Sequence, residues 1–248
     1  MIRRVLTERA VNRRRGITWR GRDVSRLEGL TDAVFGFAIT LLVVSLEVPN
    51  TFDELQREML RFPAFVISFA LLLLLWHAHY SYFRRYGLED LFTIVVNSLF
   101  LFVVLFYVYP LKFLFTWLID EWLGLPTEVP AADGSFVPIL KSGDVPLLMT
   151  FYGAGLMAVG FCFVLFNWHA LRLADTLKLS ARERIETQGH LWEASAHMGI
   201  AMLSIACAWY FRDGTLSGLV YVLYGVVGVT FGRWTEHRAR RAEARQAA

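Results

Sequence analysis

The sequence predicts an all-α membrane protein with six transmembrane helices, and three observations carry that prediction. Hydrophobic residues make up 56% of the 248-residue chain, against roughly 45–50% in an average soluble domain. They are gathered into six uncharged runs rather than spread along the chain. Basic residues fall almost wholly on one set of the connections between those runs, and an acidic residue, Asp32, stands at the mouth of the first run.

The runs are Ala33–Leu46, Phe62–Phe83, Leu91–Leu111, Val145–Leu171, Ala194–Phe211 and Gly214–Gly232, of 14, 22, 21, 27, 18 and 19 residues. A bilayer-spanning helix needs about 17–25 residues, so five pass on length alone. The first becomes adequate once Leu30–Asp32 and Glu47–Pro49 are counted as its ends. A helix that lines a protein interior need not match the hydrocarbon thickness by itself.

Orientation follows from the basic residues near the spans. Placing both termini in the cytoplasm puts twenty of the 25 Lys and Arg on the inner side, nine of them between Arg3 and Arg26. Only Arg57, Arg61, Lys112, Lys141 and Arg212 are left outside. That asymmetry independently supports an even number of spans. It divides the chain into a basic cytoplasmic segment (1–25), a six-helix transmembrane domain (26–232) and a charged cytoplasmic tail (233–248) of a multi-pass protein of the cell membrane.

The net charge of +3 is therefore mostly topology. No aromatic-interleaved module accompanies the N-terminal arginines, so a nucleic-acid partner is not expected. Anionic lipid headgroups are the natural partners of the inner basic segments. Met1–Arg26 lacks the apolar core of a cleavable signal peptide. Cys162 and Cys207 lie within the fourth and fifth spans and read as buried thiols.

Among the connections, Asn50–Arg61 reads as a short charged link and Arg84–Asp90 as a tight inner turn. Lys112–Pro146 is a long acidic outer segment with an Asp133-Gly134 turn signal, and Lys112–Leu125 either continues the third helix or lies at the interface. The inner linker Arg172–Glu193 is polar and helical, with Arg182, Glu183, Arg184 and Glu186 disposed for helix-face pairs.

At 100° per residue the first helix carries two stripes. Gly36, Ile39, Val43 and Leu46 fall within about 40° of Asp32, on the side where packing must supply a partner for the carboxylate. Phe37, Thr40, Val44 and Glu47 form the second stripe, which suits either a narrow pore or a packed helix interface. His77 and His79 are two residues apart, hence about 200° apart on a helix, and do not chelate one metal. Each is expected to bond a buried polar group, with Asp32 and Thr31 as candidate partners. His190, Glu193 and His197 share a stripe with a spacing near that of metal ligands, and His169 stands alone at the end of the fourth span. No carbonyl-filter sequence and no Arg-rich voltage-sensing span is present.

Taken together, these residues resemble the transmembrane-protein-175 family of endolysosomal and bacterial potassium channels. The hallmark Arg-x-x-x-Phe-Ser-Asp is matched here by Arg26-x-x-x-Leu30-Thr31-Asp32. The run Ala33–Val44, the segment Trp76-His77-Ala-His79 with Phe83, Asn97, and the Tyr109-Pro110 ending agree in order and spacing. The likeness covers about residues 26–111, and the last three helices match in number and length. It implies a homotetramer with four copies of the first helix around a pore, and an apolar constriction instead of a carbonyl filter.

On that likeness the constricting position is Phe37, where the family usually has Ile or Leu, followed by Thr40 and Val44. Arg26, Thr31, Asp32, His77, His79 and Asn97 would form a structural polar network at the inner end. The expected function is a potassium-permeable cation channel with no cofactor and no catalytic residues. The rival classes are a membrane metal-dependent enzyme built on His190, Glu193 and His197, and a non-conducting scaffold sealed by four Phe37 rings.

Overall fold

The computed structural model describes residues 19–21, 24–44, 48–130, 135–212 and 214–247. Among them six helical segments are long and apolar enough to cross a membrane. Five are single helices: α1 (Arg26–Val44), α2 (Phe52–Tyr86), α3 (Leu91–Leu123), α4 (Val145–Arg172) and α5 (Ala181–Phe211). The sixth span, Leu216–Ala242, is assembled from α6 (Gly214–Leu219), a 3₁₀ turn (Val220–Val222) and α7 (Leu223–Ala247). A two-stranded antiparallel hairpin, β1 (Glu128–Pro130) and β2 (Phe136–Pro138), lies between α3 and α4. The expected Asp133-Gly134 turn signal and the expected Glu47 end of the first span lie outside the described residues.

Helix ends are fixed by side chains that take up the unpaired backbone groups of the first turn. The Ser25 hydroxyl accepts from the Glu28 amide (3.0 Å) while Glu28 accepts from the Ser25 amide (2.9 Å), a reciprocal cap that starts α1. Ser180 and Glu183 do the same for α5. Thr51 caps α2 and Asp90 caps α3, and Gly87 ends α2 in the left-handed region at φ 60°.

One expectation about the connections needs correction. Asn50–Arg61 is not a link: α2 begins at Phe52 and runs through Pro63 as one helix of 35 residues. The charges that make this stretch resemble a loop occupy the first turns of the helix, ahead of its apolar run. Of the two readings of Lys112–Leu125, the structure shows the first: α3 continues through Pro110 to Leu123. The expected inner linker splits into a turn at 173–180 and the first turns of α5.

The core is an aromatic hub. The His79 ring stacks on Phe83 (4.4 Å between centroids) and Phe100 (5.1 Å), and meets Phe166 edge-on at 6.1 Å. Phe35 of α1 joins through Phe100, and the Tyr82 hydroxyl donates to the Phe166 carbonyl (2.8 Å). This packing ties α1, α2, α3 and α4 together. α5 then packs on α4, and α7 on α5.

Ion pairs stitch the two ends of the bundle. At the basic end Arg85 meets Glu186 (2.5 Å), Arg182 meets the same carboxylate (2.8 Å), and His169, expected to stand alone, meets Asp90 (2.6 Å). Burial by itself would raise the Asp90 carboxyl. The hydrogen bonds from Thr93 and His169 outweigh it and hold the group below its usual range.

At the opposite end Arg61 grips Asp120 with two parallel bonds, both 2.8 Å, and Asp120 is 1% exposed. Removing the arginine leaves a carboxylate stranded at the end of α3, where the helix dipole also opposes negative charge. Arg61→Ala is expected to cost about 3 kcal/mol of stability, read as a lower thermal unfolding midpoint in detergent. An Arg61→Leu/Asp120→Leu double variant should recover most of the loss, and an equal loss in both would count against the pair.

Candidate functional site

The site is built on α1, which has two unlike sides. One is covered: Glu28, Thr31, Phe35, Ala38 and Leu42 are buried against α2 and α3. The other is open along its whole length, through Arg26, Gly29, Asp32, Ala33, Gly36, Phe37, Thr40, Val43 and Val44. Phe37 is 56% and Val44 71% exposed in the single chain. At 100° per residue these positions span an arc of about 140°. The small residues Gly29, Ala33 and Gly36 run along it, which lets another helix approach the α1 backbone closely. The Thr40 hydroxyl donates to the Gly36 carbonyl (2.9 Å), so its oxygen keeps acceptor capacity on the open side.

The two stripes read from the sequence therefore merge. Gly36 and Val43 belong with Phe37 and Thr40 to the open arc, and Asp32 sits at its edge. The aspartate was expected on a packed face; instead it is exposed, and its Oδ1 accepts from the Trp76 indole (2.8 Å). Trp76 stacks on Tyr80 at 5.5 Å, which holds the indole in place from one turn below. Sequence reasoning placed Trp76 beside the histidines without assigning it a bond. An indole has one donor and no acceptor, so a carboxylate within reach was a findable partner.

Beneath the covered face lies a directed hydrogen-bond chain. His79 Nε2 donates to Asn97 Oδ1 (2.6 Å), Asn97 Nδ2 donates to Thr31 Oγ1 (3.1 Å), and the Thr31 hydroxyl donates to the Leu27 carbonyl (3.0 Å). All three side chains are at most 2% exposed. The expected six-member network is smaller in the chain itself: Thr31, His79 and Asn97 are joined, while Asp32 goes to Trp76. His77 is exposed and faces Tyr80 (6.4 Å), and Arg26 is exposed at the start of the open arc. The 200° separation of the two histidines is the reason only one enters the core.

The metal-site alternative does not assemble. His190 Nδ1 is 3.5 Å from Glu193 Oε2, but His197 lies flat on Tyr224 at 4.4 Å and 1°. Among the described residues no group of three His, Cys, Asp or Glu is placed to hold a metal ion. Cys162 and Cys207 are both free thiols.

Comparison with known proteins bears on this geometry. The family model for the endosomal/lysosomal potassium channel TMEM175 matches residues 26–107, the stretch that holds α1, the hydrogen-bond chain and the Trp76–Asp32 bond. A curated relative from Marivirga tractuosa, named a potassium channel, is 35% identical over 243 residues, which is 96% of this chain and 98% of the relative. The chain belongs to the TMEM175 family of potassium channels.

A relative from Chamaesiphon minutus, also named a potassium channel, is 32% identical over 125 residues, or 47% of this chain and 61% of the relative. Among solved structures, an alanine-substituted variant of the potassium channel MtTMEM175, bound to a nanobody fusion, matches with a TM-score of 0.75. Identity there is 34%, covering 89% of this chain and 97% of that one. A homologue, from Chamaesiphon minutus, of the lysosomal potassium-selective channel TMEM175 matches at a TM-score of 0.56 and 23% identity. It covers 83% of this chain and 96% of that one, and shows the fold alone. This chain is thus a multi-pass membrane protein of a channel family, not an enzyme.

The buried chain generates a test. Asn97→Leu fills similar volume but leaves the His79 donor without its acceptor and Thr31 without its donor. Each stranded buried group costs about 1–3 kcal/mol. The variant is expected to unfold at lower temperature and to assemble poorly, read by size-exclusion chromatography of the purified protein. Asn97→Asp is expected to be no milder, because it trades the amide donor for a carboxyl group at a position with no exposure.

Proposed function

We propose that this chain forms a potassium-permeable cation channel in which four copies set the open arc of α1 around a central axis. Both termini face the cytoplasm in this reading, so the basic end of the bundle is the inner end. Phe37 makes the narrowest ring, with Thr40 one turn outward and Val44 beyond it. The single observation that carries the reading is the uncovered face of α1. An apolar helix at the edge of a bundle offers lipid a uniform hydrocarbon surface, whereas this face carries glycines, a hydroxyl and an aspartate, and groups of that kind mark helix contacts or a water-filled path.

The chemistry fits selection without a carbonyl filter. Partial dehydration at an apolar ring discriminates ions by the energy of shedding water, and the hydroxyl oxygens of Thr40 offer a partial replacement just beyond it. The faces of the Phe37 rings add a cation–π attraction of about 0.5–2 kcal/mol each. Arg26, Thr31, Asp32, His77, His79 and Asn97 act in this reading as the frame that holds α1 at its angle. His77 and Arg26 then find partners on neighbouring copies. The permeant ion is the only small-molecule partner, and no cofactor takes part.

Flux of potassium into liposomes containing the purified protein tests the proposal. Phe37→Ala is expected to raise flux, with Val44→Ala having a smaller effect. Unchanged flux in an assembled Phe37→Ala protein would remove Phe37 from the pore.

Anionic lipid is the second proposed partner, and α7 carries the surface for it. Thr235 and Ala239 are buried, which turns Arg233, Trp234, His237, Arg238 and Arg241 outward on one arc. The Arg238 guanidinium lies 4.6 Å from the Trp234 ring, and Arg172 stands 5.7 Å over Trp168 at the same end of α4. Arg233 to Arg238 occupy roughly the first 9 Å past the apolar run, at the depth of the headgroups. Each such arginine contributes about 1 kcal/mol of attraction to an anionic leaflet. An Arg233→Gln/Arg238→Gln/Arg241→Gln variant is expected to lose most of the thermal stabilisation that phosphatidylglycerol gives the parent over phosphatidylcholine.

A further inference from the structure

We propose that Arg20 and Glu183 are positioning residues for the pore helix, forming a latch that couples the α4–α5 turn to the start of α1. The proposal rests on the reading of α1 as the pore-lining element. It concerns a segment ahead of α1 that the pore reading does not use.

Residues 19–21 form a strap across the basic end of the bundle. The Trp19 ring lies 6.4 Å from Tyr80, and the Arg84 guanidinium is within 6.0 Å of both rings. The Gly21 amide donates to the Arg84 carbonyl at 3.2 Å. Only glycine fits there, because a Cβ on Gly21 would stand 2.8 Å from the Phe83 carbonyl oxygen. Gly87 meets the strap from the other side, with φ +60° and a Cβ position 3.0 Å from the Gly21 nitrogen. The backbone thus passes through a slot between two glycines.

Arg20 anchors the strap to the other half of the molecule. Its Nη1 and Nη2 bond the two oxygens of Glu183 at 2.8 and 3.0 Å, Nε donates to the Leu177 carbonyl (2.8 Å), and Nη2 reaches the Lys178 carbonyl (3.2 Å). Lys178 itself sits at φ 50°, in the turn that the guanidinium bridges. Glu183 is 1% exposed and also closes the capping box of α5 by accepting from the Ser180 amide (2.8 Å). One carboxylate therefore fixes both the beginning of α5 and the lead-in to α1.

Two features make this a coupling element as well as a stabilising contact. First, the strap is held at points: a cleft of about 240 Å³, lined by Arg20, Gly21, Ser25, Glu28 and the α2–α3 turn, remains beneath it. Second, α1 packs on α2 and α3, and its open arc is exposed among the described residues. Arg20 ties α1, six residues before its first residue, to α4 and α5. Phe37 lies about 16 Å along α1 from Arg26, so a small tilt about the inner end moves the ring at the constriction by a comparable fraction of its radius. A shift of the α4–α5 turn reaches the pore through this latch.

The experiment uses the full chain reconstituted in liposomes. Arg20→Gln/Glu183→Gln removes the ion pair without stranding a buried charge, and glutamine still serves at the third position of a capping box, so α5 keeps its start. The expected result is a protein that assembles like the parent and whose potassium flux per assembled channel differs by about three- to thirtyfold, the range for residues that couple sites without touching the ligand. Hydrogen exchange over residues 26–44 should also accelerate, which reads the release of α1 whether or not the protein conducts. Parent-like flux with parent-like exchange, or a lowered unfolding midpoint with unchanged flux per channel, would overturn the proposal. If the double variant fails to assemble, Arg20→Lys keeps the charge and loses the fork and the Nε bond. It should show intermediate flux and exchange, and parent-like values for both would overturn the proposal. A parent protein that passes no cation, together with accelerated exchange in the variants, would sink the pore reading and leave the latch.

Discussion

A side-chain amide buried in an apolar bundle must find its partners on the helices around it, because neither lipid nor core offers any. Asn97 sits on α3 with no exposure and is met from α2 by His79 and from α1 by Thr31. The three side chains have complementary needs: one donor to the amide oxygen, one acceptor for the amide nitrogen, and a hydroxyl that passes its own proton back to its helix. Rotating any of the three helices by one residue breaks at least one of these bonds. The chain therefore fixes the rotation of α1 about its own axis, which decides that Phe37, Thr40 and Val44 face away from the bundle. Apolar packing alone would not do this, since Phe, Leu and Val recur around most of α1 and would fill the core nearly as well from a neighbouring register.

The aromatic hub makes that specificity affordable in structural terms. His79 is sandwiched by Phe83 and Phe100, so its ring cannot turn to another partner. Phe35 reaches the same Phe100 from α1, one turn beyond Thr31. Polar and apolar contacts of α1 thus select the same rotation. Agreement of this kind between hydrogen bonding and packing leaves one arrangement well below its competitors in energy.

How much of this was legible in the residues differs by feature. Span number was readable because uncharged length is a strong constraint in hydrocarbon. Span ends were not: Asp53, Glu54, Arg57 and Glu58 resemble a loop, yet the Thr51 cap and the Arg61–Asp120 pair carry α2 well past the apolar run. Thr31, Asn97 and His79 were identifiable as polar groups in apolar runs that needed partners. Which of them met was a matter of three-dimensional register, and His77 and Asp32 were assigned to the same cluster for lack of it. The Ser25–Glu28 and Ser180–Glu183 boxes were written in the sequence as Ser-x-x-Glu before apolar helices. The Arg20–Glu183 contact spans 163 positions, and no local pattern announces a pairing at that distance.

The two ends of the bundle are stitched unequally, and this has a consequence for α1. At the basic end Arg20, Arg85, Arg182 and His169 each meet a carboxylate, and one of those contacts reaches the lead-in to α1. At the other end the principal bidentate pair, Arg61 with Asp120, joins α2 to α3 and leaves α1 out. α1 is therefore tied by polar bonds at its start, through the strap and the cap, and in rotation by Thr31, while its far half is held by the buried side chains of Ala38 and Leu42. A rod held this way pivots about its anchored end, and displacement grows with distance from it. Residues toward the far end change the width of the open arc most for a given tilt, while Asp32, close to the pivot, changes it least. Functional sensitivity along α1 should follow that lever rather than the polarity of the residues it carries.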